Sequence, residues 1–377
     1  MRPKNYLFGL ILAVIGCQSH YDGTVLEIDV DAALEVNFED VTEEVKIIPL
    51  QSDVPINQCA EIECFGNETI IRSAGRKTMY YFVDGVLKGT LNAAGRGRGE
   101  YNQIQQFVYS PHTKILSVLS MGENKMLKYS VPQMTYLGTY EIGGTVRYLS
   151  EHNDTTLLIR KRYPGGGYGI ELVSTRDGHT IKKYRDIGGY SLLFDDHVGY
   201  YRPNNRILSV VGNISTLSYV DDEGKDEIIL AYNFKDKDIP EKYAEFDYEN
   251  MQELMGFYNF SQGQDIYTGG THCQKEGNTI SFWYHKETVD DKNVRHYICI
   301  RNGNIEKQYK GFRVKGLTIP IIPDCIDGNG GFTTIIEAPS ENIEDKEVEP
   351  SELAKKILTA LKGQPDNNPI LINYRIQ

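Results

Sequence analysis

Four short stretches of this chain share one design, in which two runs of alternating apolar and polar residues meet at a turn built on glycine. They are "YYFVDGVLKGTL", "ELVSTRDGHTIKKY", "LSYVDDEGKDEIILAY" and "YICIRNGNIEKQY". Such alternation places successive side chains on opposite faces of a strand, and Asp-Gly or Asn-Gly between two such runs reads as a β-hairpin. Their spacing is the strongest constraint on the fold. Gly178 and Gly224 stand 46 residues apart, and Gly85 and Gly178 stand 93 apart, which is two units with the Pro132-Gln133 turn of "LKYSVPQMTYLGTY" at the midpoint. Gly224 and Gly303 are 79 apart, one unit plus a surplus of 33. That surplus coincides with "KDKDIPEKYAEFDYENMQELMGFYNF", whose Tyr243, Phe246, Met251, Leu254 and Met255 follow a helix-like spacing. A repeat of this length with about four strands per unit is what a propeller blade requires, whereas a two-sheet sandwich holds no constant repeat over such a distance.

Upstream of the hairpins lie further β-rich runs, "ETIIRSA", "TKILSVLS", "DTTLLIRKR", "NRILSVVG" and "NTISFWYH", and "GGFTTIIEA" supplies a sixth. The expected fold is therefore all-β, a six-bladed β-propeller over residues 45–377. Two short helical insertions interrupt it, at about 235–262 and 349–363. The second is "EPSELAKKILTALKG", where Leu353, Ile357, Leu358 and Leu361 form one apolar stripe and Gly363 stands at the C-cap. A ring of blades must close without leaving open strand edges, so one terminus is expected to complete a blade begun by the other. "VKIIPL" near the start and "NNPILINYRIQ" at the end are both strands suited to that.

Ahead of the repeat, Met1–Gly16 reads as a lipoprotein signal peptide, with Arg2 and Lys4 before an apolar core from Leu7 to Ile15. This core is too short to span a bilayer. "VIGC" ends it as a lipobox, which makes Cys17 the acyl acceptor and residues 17–44 a tether and N-terminal segment. The chain resembles the six-bladed β-propeller lipoproteins of Gram-negative envelopes, which are related in shape to NHL-repeat propellers. The resemblance rests on the lipobox at Cys17, "GRGRGEY" at Gly95–Tyr101, the helical insertion before the fifth unit and the terminal "NPILINYRI". It implies a lipid-anchored protein of the cell envelope, on either the periplasmic or the surface face of the outer membrane.

Charge narrows the partners. The chain carries 52 acidic against 40 basic residues, a formal charge of −12 that becomes −14 once Arg2 and Lys4 leave with the signal. This balance argues against nucleic acid. After Cys17, the cysteines are Cys59, Cys64, Cys273, Cys299 and Cys325, an odd number, so the chain is not read as a disulfide scaffold.

No motif singles out a chemistry. "AAGRGRGEYNQIQQF" has the spacing G-x-G-x-G between strands and lacks the Lys-Ser/Thr of a phosphate loop, so it reads as a crossing from one blade to the next. Glu100 and Tyr101 are expected to fix that crossing. His272, Cys273, His285, His296 and Cys299 cluster in the fifth unit, but His296 and Cys299 in "RHYICI" point to opposite faces of one strand and cannot both reach one ion, so no metal site is expected. Asp195-Asp196-His197 reads as a solvated turn, and no cofactor motif, nucleophile elbow or zinc-protease helix occurs. The 26 tyrosines are expected to pack between blades, with "KRYPGGGYG" as the candidate for an exposed sugar-stacking face. Crossings gather on one end face of a propeller, so Arg96, Arg98, Arg147 and Tyr190 are the expected ligand-binding residues, suited to an acidic or hydroxyl-rich glycan. The expected function is non-catalytic binding or scaffolding of a glycan, peptide or envelope partner. The alternative is a hydrolase or lyase whose site is dispersed around the channel, and fold alone cannot choose between them.

Overall fold

The structure is a computed structural model that describes residues 24–377, apart from 57, 163–167, 188–206, 211–213, 222, 241–242, 244–250, 287–293, 328–329, 338–342 and 366–367. It contains six sheets, five of four strands and one of five, arranged as the blades of a six-bladed β-propeller. Blade I comprises Cys59–Phe65, Glu68–Ser73, Met79–Val83 and Val86–Leu91. Blade II comprises Ile104–Ser110, Ile115–Ser120, Lys125–Ser130 and Tyr136–Glu141, and blade III Thr145–Asn153, Thr156–Arg162, Tyr168–Ser174 and Thr180–Ile187. In each of these the strands pair antiparallel in chain order. The first strands of blades II and III, IV and V, and VI and I touch one another near the axis.

The hairpins fall where the turn residues place them, but they divide into two kinds. Asp84-Gly85 and Asn302-Gly303 are two-residue turns with both residues at positive φ, the conformation whose twist matches the flanking strands. The Gly178 and Gly224 hairpins instead carry five-residue loops between Ser174 and Thr180 and between Val220 and Asp226. There a single glycine at positive φ closes the loop, with Gly178 N–H donating to the Ser174 carbonyl and Ser174 N–H to that of His179.

Blades are buried on both faces, because each must pack against two neighbours. The hydrophobic cores accordingly lie between blades: Tyr81, Tyr101, Phe107, Tyr109 and Tyr129 fill the I/II interface, and Tyr232 and Phe282 meet at 4.8 Å between IV and V. These tyrosines pack between blades, as expected, whereas Tyr219 and Tyr258 are exposed. Trp283, 1% exposed, sits between blades V and VI against Phe312 and Phe332.

The ring closes in blade VI, whose strands are Cys325–Ile326, Phe332–Ile336, Ile370–Ile376 and, at the outer edge, Thr42–Pro49. The last strand of the chain pairs antiparallel with that N-terminal strand, from Ile370↔Pro49 to Ile376↔Thr42. Between the second and third strands, the helix Glu352–Lys362 starts at Ser351, whose hydroxyl accepts from Ala354 N–H at 3.2 Å. It buries Ala354, Ile357, Leu358 and Leu361; Leu353 lies at the margin of that stripe. Gly363 caps it in right-handed rather than left-handed geometry.

Blade IV contains Ile207–Val210, Ser215–Val220 and Asp226–Asn233, and blade V contains Tyr267–Glu276, Thr279–Lys286, Arg295–Arg301 and Asn304–Arg313. Between them lies the first insertion, with a short turn of helix at Lys235–Lys237 and an α-helix at Met251–Gln262. Tyr243 packs on Phe260 at 4.6 Å, Met255 is exposed, and Phe246 lies outside the described residues. Residues ahead of Val45 do more than tether. Val25–Glu27 adds a parallel strand to the outer edge of blade IV, and Leu34–Asn37 adds one to blade V. Gln308 Nε2 fixes this segment by donating to the Asp29 carbonyl at 2.8 Å. Two otherwise open sheet edges are covered in this way.

Candidate functional site

The Gly95–Tyr101 crossing joins the outer strand of blade I to the inner strand of blade II. Tyr101 is fully buried, and its hydroxyl donates to the Lys77 carbonyl at 2.8 Å and accepts from Ala93 N–H at 3.1 Å. Its own backbone closes the loop, since Gly95 N–H donates to the Tyr101 carbonyl and Tyr101 N–H to that of Ala93. The Glu100 carboxylate turns back onto Gly97 N–H at 2.6 Å. Gly99, at φ +76°, lies where a Cβ would stand 2.7 Å from the Tyr136 ring, while its carbonyl accepts from the Tyr129 hydroxyl. Here glycine is required by both conformation and space. The expected roles of Glu100 and Tyr101 as fasteners match these bonds.

Arg96 and Arg98 project from this loop into solvent. The loop itself rests on Tyr129 and Tyr136, which belong to the third and fourth strands of blade II, so the two arginines stand over the outer half of a blade. Arg147 belongs to the innermost strand of blade III, where the preceding carbonyl, of Val146, accepts from Gln105 Nε2 at 2.7 Å. Tyr190, Asp195-Asp196-His197, Tyr163–Gly167 and Cys17 lie outside the described residues.

A second constellation, which the sequence reading did not single out, lies around the axis on the face of the crossings. Asp324 immediately precedes the inner strand of blade VI, Glu337 follows that blade's second strand, and Cys59 opens the inner strand of blade I. Antiparallel pairing brings the start of a first strand and the end of a second strand to the same end of the blade. Glu337 Oε1 accepts from Cys59 N–H, and Asp324 Oδ2 accepts from Ile335 N–H at 2.7 Å. Asp324 is exposed at its surface, while the protein packed around its carboxyl withholds much of the solvation a free carboxylate would have. That enclosure pushes its carboxyl up to about 7; the Ile335 amide works against the rise and the Glu337 charge adds to it. Burial and the Glu337 charge likewise raise the Cys59 thiol. From blade V, His272 faces the Asp324 carbonyl, and burial lowers its imidazole to about 3, so it is neutral at physiological pH. Three blades therefore contribute to one polar centre. Its signal in the sequence is position within the repeat, since Cys59, His272 and Asp324 sit on or beside inner strands and Glu337 follows a second strand, and it becomes visible only once the phase of the blades is known.

The remaining polar residues divide between the faces of blade V. His296 stacks on Tyr284 at 4.8 Å toward blade IV, whereas Cys299 packs with Trp283 and Tyr297 toward blade VI. The two side chains are on opposite faces of the strand, as the alternation requires. Among the described residues, no helix is long and apolar enough to cross a membrane.

A family model described as a six-bladed β-propeller matches residues 16–149, from the N-terminal segment into the inner strand of blade III. In shape the chain is similar to a protein from Bacteroides fragilis described as exported, at 15% identity and a TM-score of 0.63, over 94% of this chain and 100% of that one. It is also similar to a member of the duf4221 family from Bacteroides vulgatus, at 10% identity and a TM-score of 0.53, over 89% of this chain and 98% of that one. At these identities the likeness concerns the fold. No curated protein matches the chain.

Proposed function

We propose that this propeller is a lipid-anchored cell-envelope protein, of the NHL-like lipoprotein kind, that binds a hydroxyl-rich glycan without transforming it. The carrying observation is the convergence of Asp324 and Glu337 with Cys59 N–H and the buried His272 from three blades, with Asp324 exposed to solvent. Carboxylates there accept hydrogen bonds from vicinal hydroxyls, while the buried, neutral His272 supports the Asp324 backbone from behind. Arg96, Arg98, Arg147 and Tyr190 are the further proposed contacts, where guanidinium groups pair with carboxylate or sulfate substituents of a glycan. Peptides and envelope proteins are the other candidate partners, and anchoring through Cys17 holds the site at the membrane.

Binding is tested on a glycan array with three proteins: the parent chain, the double variant Arg96→Ala/Arg98→Ala, and the double variant Asp324→Asn/Glu337→Gln. The arginine pair is expected to lose the acidic glycans, and the carboxylate pair to lose neutral and acidic glycans alike. Absence of array binding by the parent, or equal binding by all three, overturns the glycan reading. Cys17→Ala is expected to move the chain from the detergent phase to the aqueous phase, and its retention in the detergent phase refutes lipid anchoring.

One observation favours a second reading, a hydrolase or lyase with its site in the channel. Asp324, held at about 7 beside Glu337, has the protonation balance of a general acid or base. Product release from array-positive glycans that disappears in Asp324→Asn would select this reading over simple binding.

A further inference from the structure

Cys64 and Cys325 are far apart in the chain and adjacent in the ring. Cys64 lies on the inner strand of blade I, Cys325 opens the inner strand of blade VI, and these two strands are neighbours at the axis. Both side chains belong to the same inter-blade core with Ile62, Ile71, Phe82 and Leu371, at 4% and 8% exposure. Both are free thiols in this structure, and each is close enough to the other for Cys64 to help raise the Cys325 thiol. The other described cysteines are placed differently. Cys273 donates its thiol to the Gly270 carbonyl at 2.8 Å between blades IV and V, Cys299 lies between V and VI, and Cys59 is five residues from Cys64 along an extended strand. Five residues of strand are about 16 Å, too far for Cys59 and Cys64 to be bridged.

We propose that Cys64 and Cys325 form a disulfide that latches blade I to blade VI across the closure of the ring. Non-covalently, the ring is shut by pairing of Ile370–Ile376 with Thr42–Pro49. Cys64 follows the N-terminal partner of that pair in the chain and Cys325 precedes the C-terminal partner, so a bond between them ties the two sides of the seam together. The oxidant is a small-molecule or protein disulfide. One protein thiolate attacks it to give a mixed disulfide, the second thiolate displaces the bound half, and two protein thiols become one S–S bond while the oxidant's S–S bond becomes two thiols. Attack requires thiolate, and burial raises the Cys325 thiol well above its ordinary value. The bond is therefore made while the chain folds, before this core is sealed.

The inference draws on the proposed envelope location only for the source of the oxidant, and the test supplies that oxidant directly. The full chain is refolded in a buffer of reduced and oxidised glutathione, alkylated with iodoacetamide, digested without reduction and mapped by mass spectrometry, alongside a sample kept reduced throughout. The expected map links the Cys64 and Cys325 peptides and finds the other four cysteines alkylated. The oxidised protein is expected to melt several degrees above the reduced one, because the cross-link encloses most of the chain and restricts the unfolded state. Cys325→Ser is expected to abolish that difference. Alkylation of all six cysteines in the oxidised sample, or a link between any other pair, overturns the proposal, and the map decides this on the parent chain even if the variant does not fold. Location is read separately, from the partitioning of Cys17→Ala.

Discussion

Removing Asn368–Gln377 tests whether the terminal strand holds the whole ring or only one edge of one blade. This strand places Ile370, Leu371, Ile372 and Tyr374 at 0–2% exposure. Full burial of such a side chain is worth roughly 1.5–3 kcal/mol, so the four together contribute about 6–12 kcal/mol. Two features add to the loss. The cut bares the facing edges of Phe332–Ile336 and Thr42–Pro49, and it removes the Asn368 side-chain oxygen that accepts from Ile56 N–H at 3.0 Å. The total rivals the roughly 5–15 kcal/mol stability of an ordinary native domain, so the truncated chain is expected to lose its cooperative transition altogether. A milder version, Ile372→Ala, is expected to cost about 2–5 kcal/mol. The chain's single tryptophan, Trp283, lies in the V/VI core and offers a local probe, while far-UV circular dichroism reports on all blades. Urea melts followed by both signals should shift together in Ile372→Ala and flatten together in the truncation. A truncated protein that melts like the parent by both probes would refute ring closure by this strand.

Two further outcomes follow from named groups. Asp324, Asp238 and Glu151 each have a carboxyl raised to about 7, burial being the first cause in every case. A raised acid holds its proton more tightly in the folded state, so the stability it contributes is fully present below about pH 4 and is lost as pH rises toward 7. Melting temperature from this source is expected to fall between about pH 4 and 7, and Asp324→Asn to flatten part of that slope; an unchanged slope in the variant would show that Asp324 titrates normally. At the crossing, Tyr101→Phe removes the part-buried bonds to the Lys77 carbonyl and Ala93 N–H and is expected to cost about 0.5–1.5 kcal/mol in a urea melt, whereas a loss within error would mean that the hydroxyl fastens nothing.

Much of this architecture is decided by short-range chemistry, and that part was legible from residues alone. Asp84-Gly85 and Asn302-Gly303 form their turns because adjacent residues accept positive φ there, and Ser351 starts its helix by bonding three residues ahead. Repetition of such local signals set the number of blades, and the need to leave no open edge pointed to the two termini. What tertiary structure alone decided are contacts whose partners share no local pattern. Val25–Glu27 and Leu34–Asn37 are too short to announce themselves and become strands by pairing with edges some 200 to 275 residues away. Convergence of Asp324, Glu337, Cys59 and His272, and the meeting of Cys64 with Cys325, depend on how the first strands turn about the axis. Spacing along a chain carries the period of its blades, but the angle between one blade and the next is set by packing of their large buried side chains. Only the closed ring therefore determines which polar groups face one another across it.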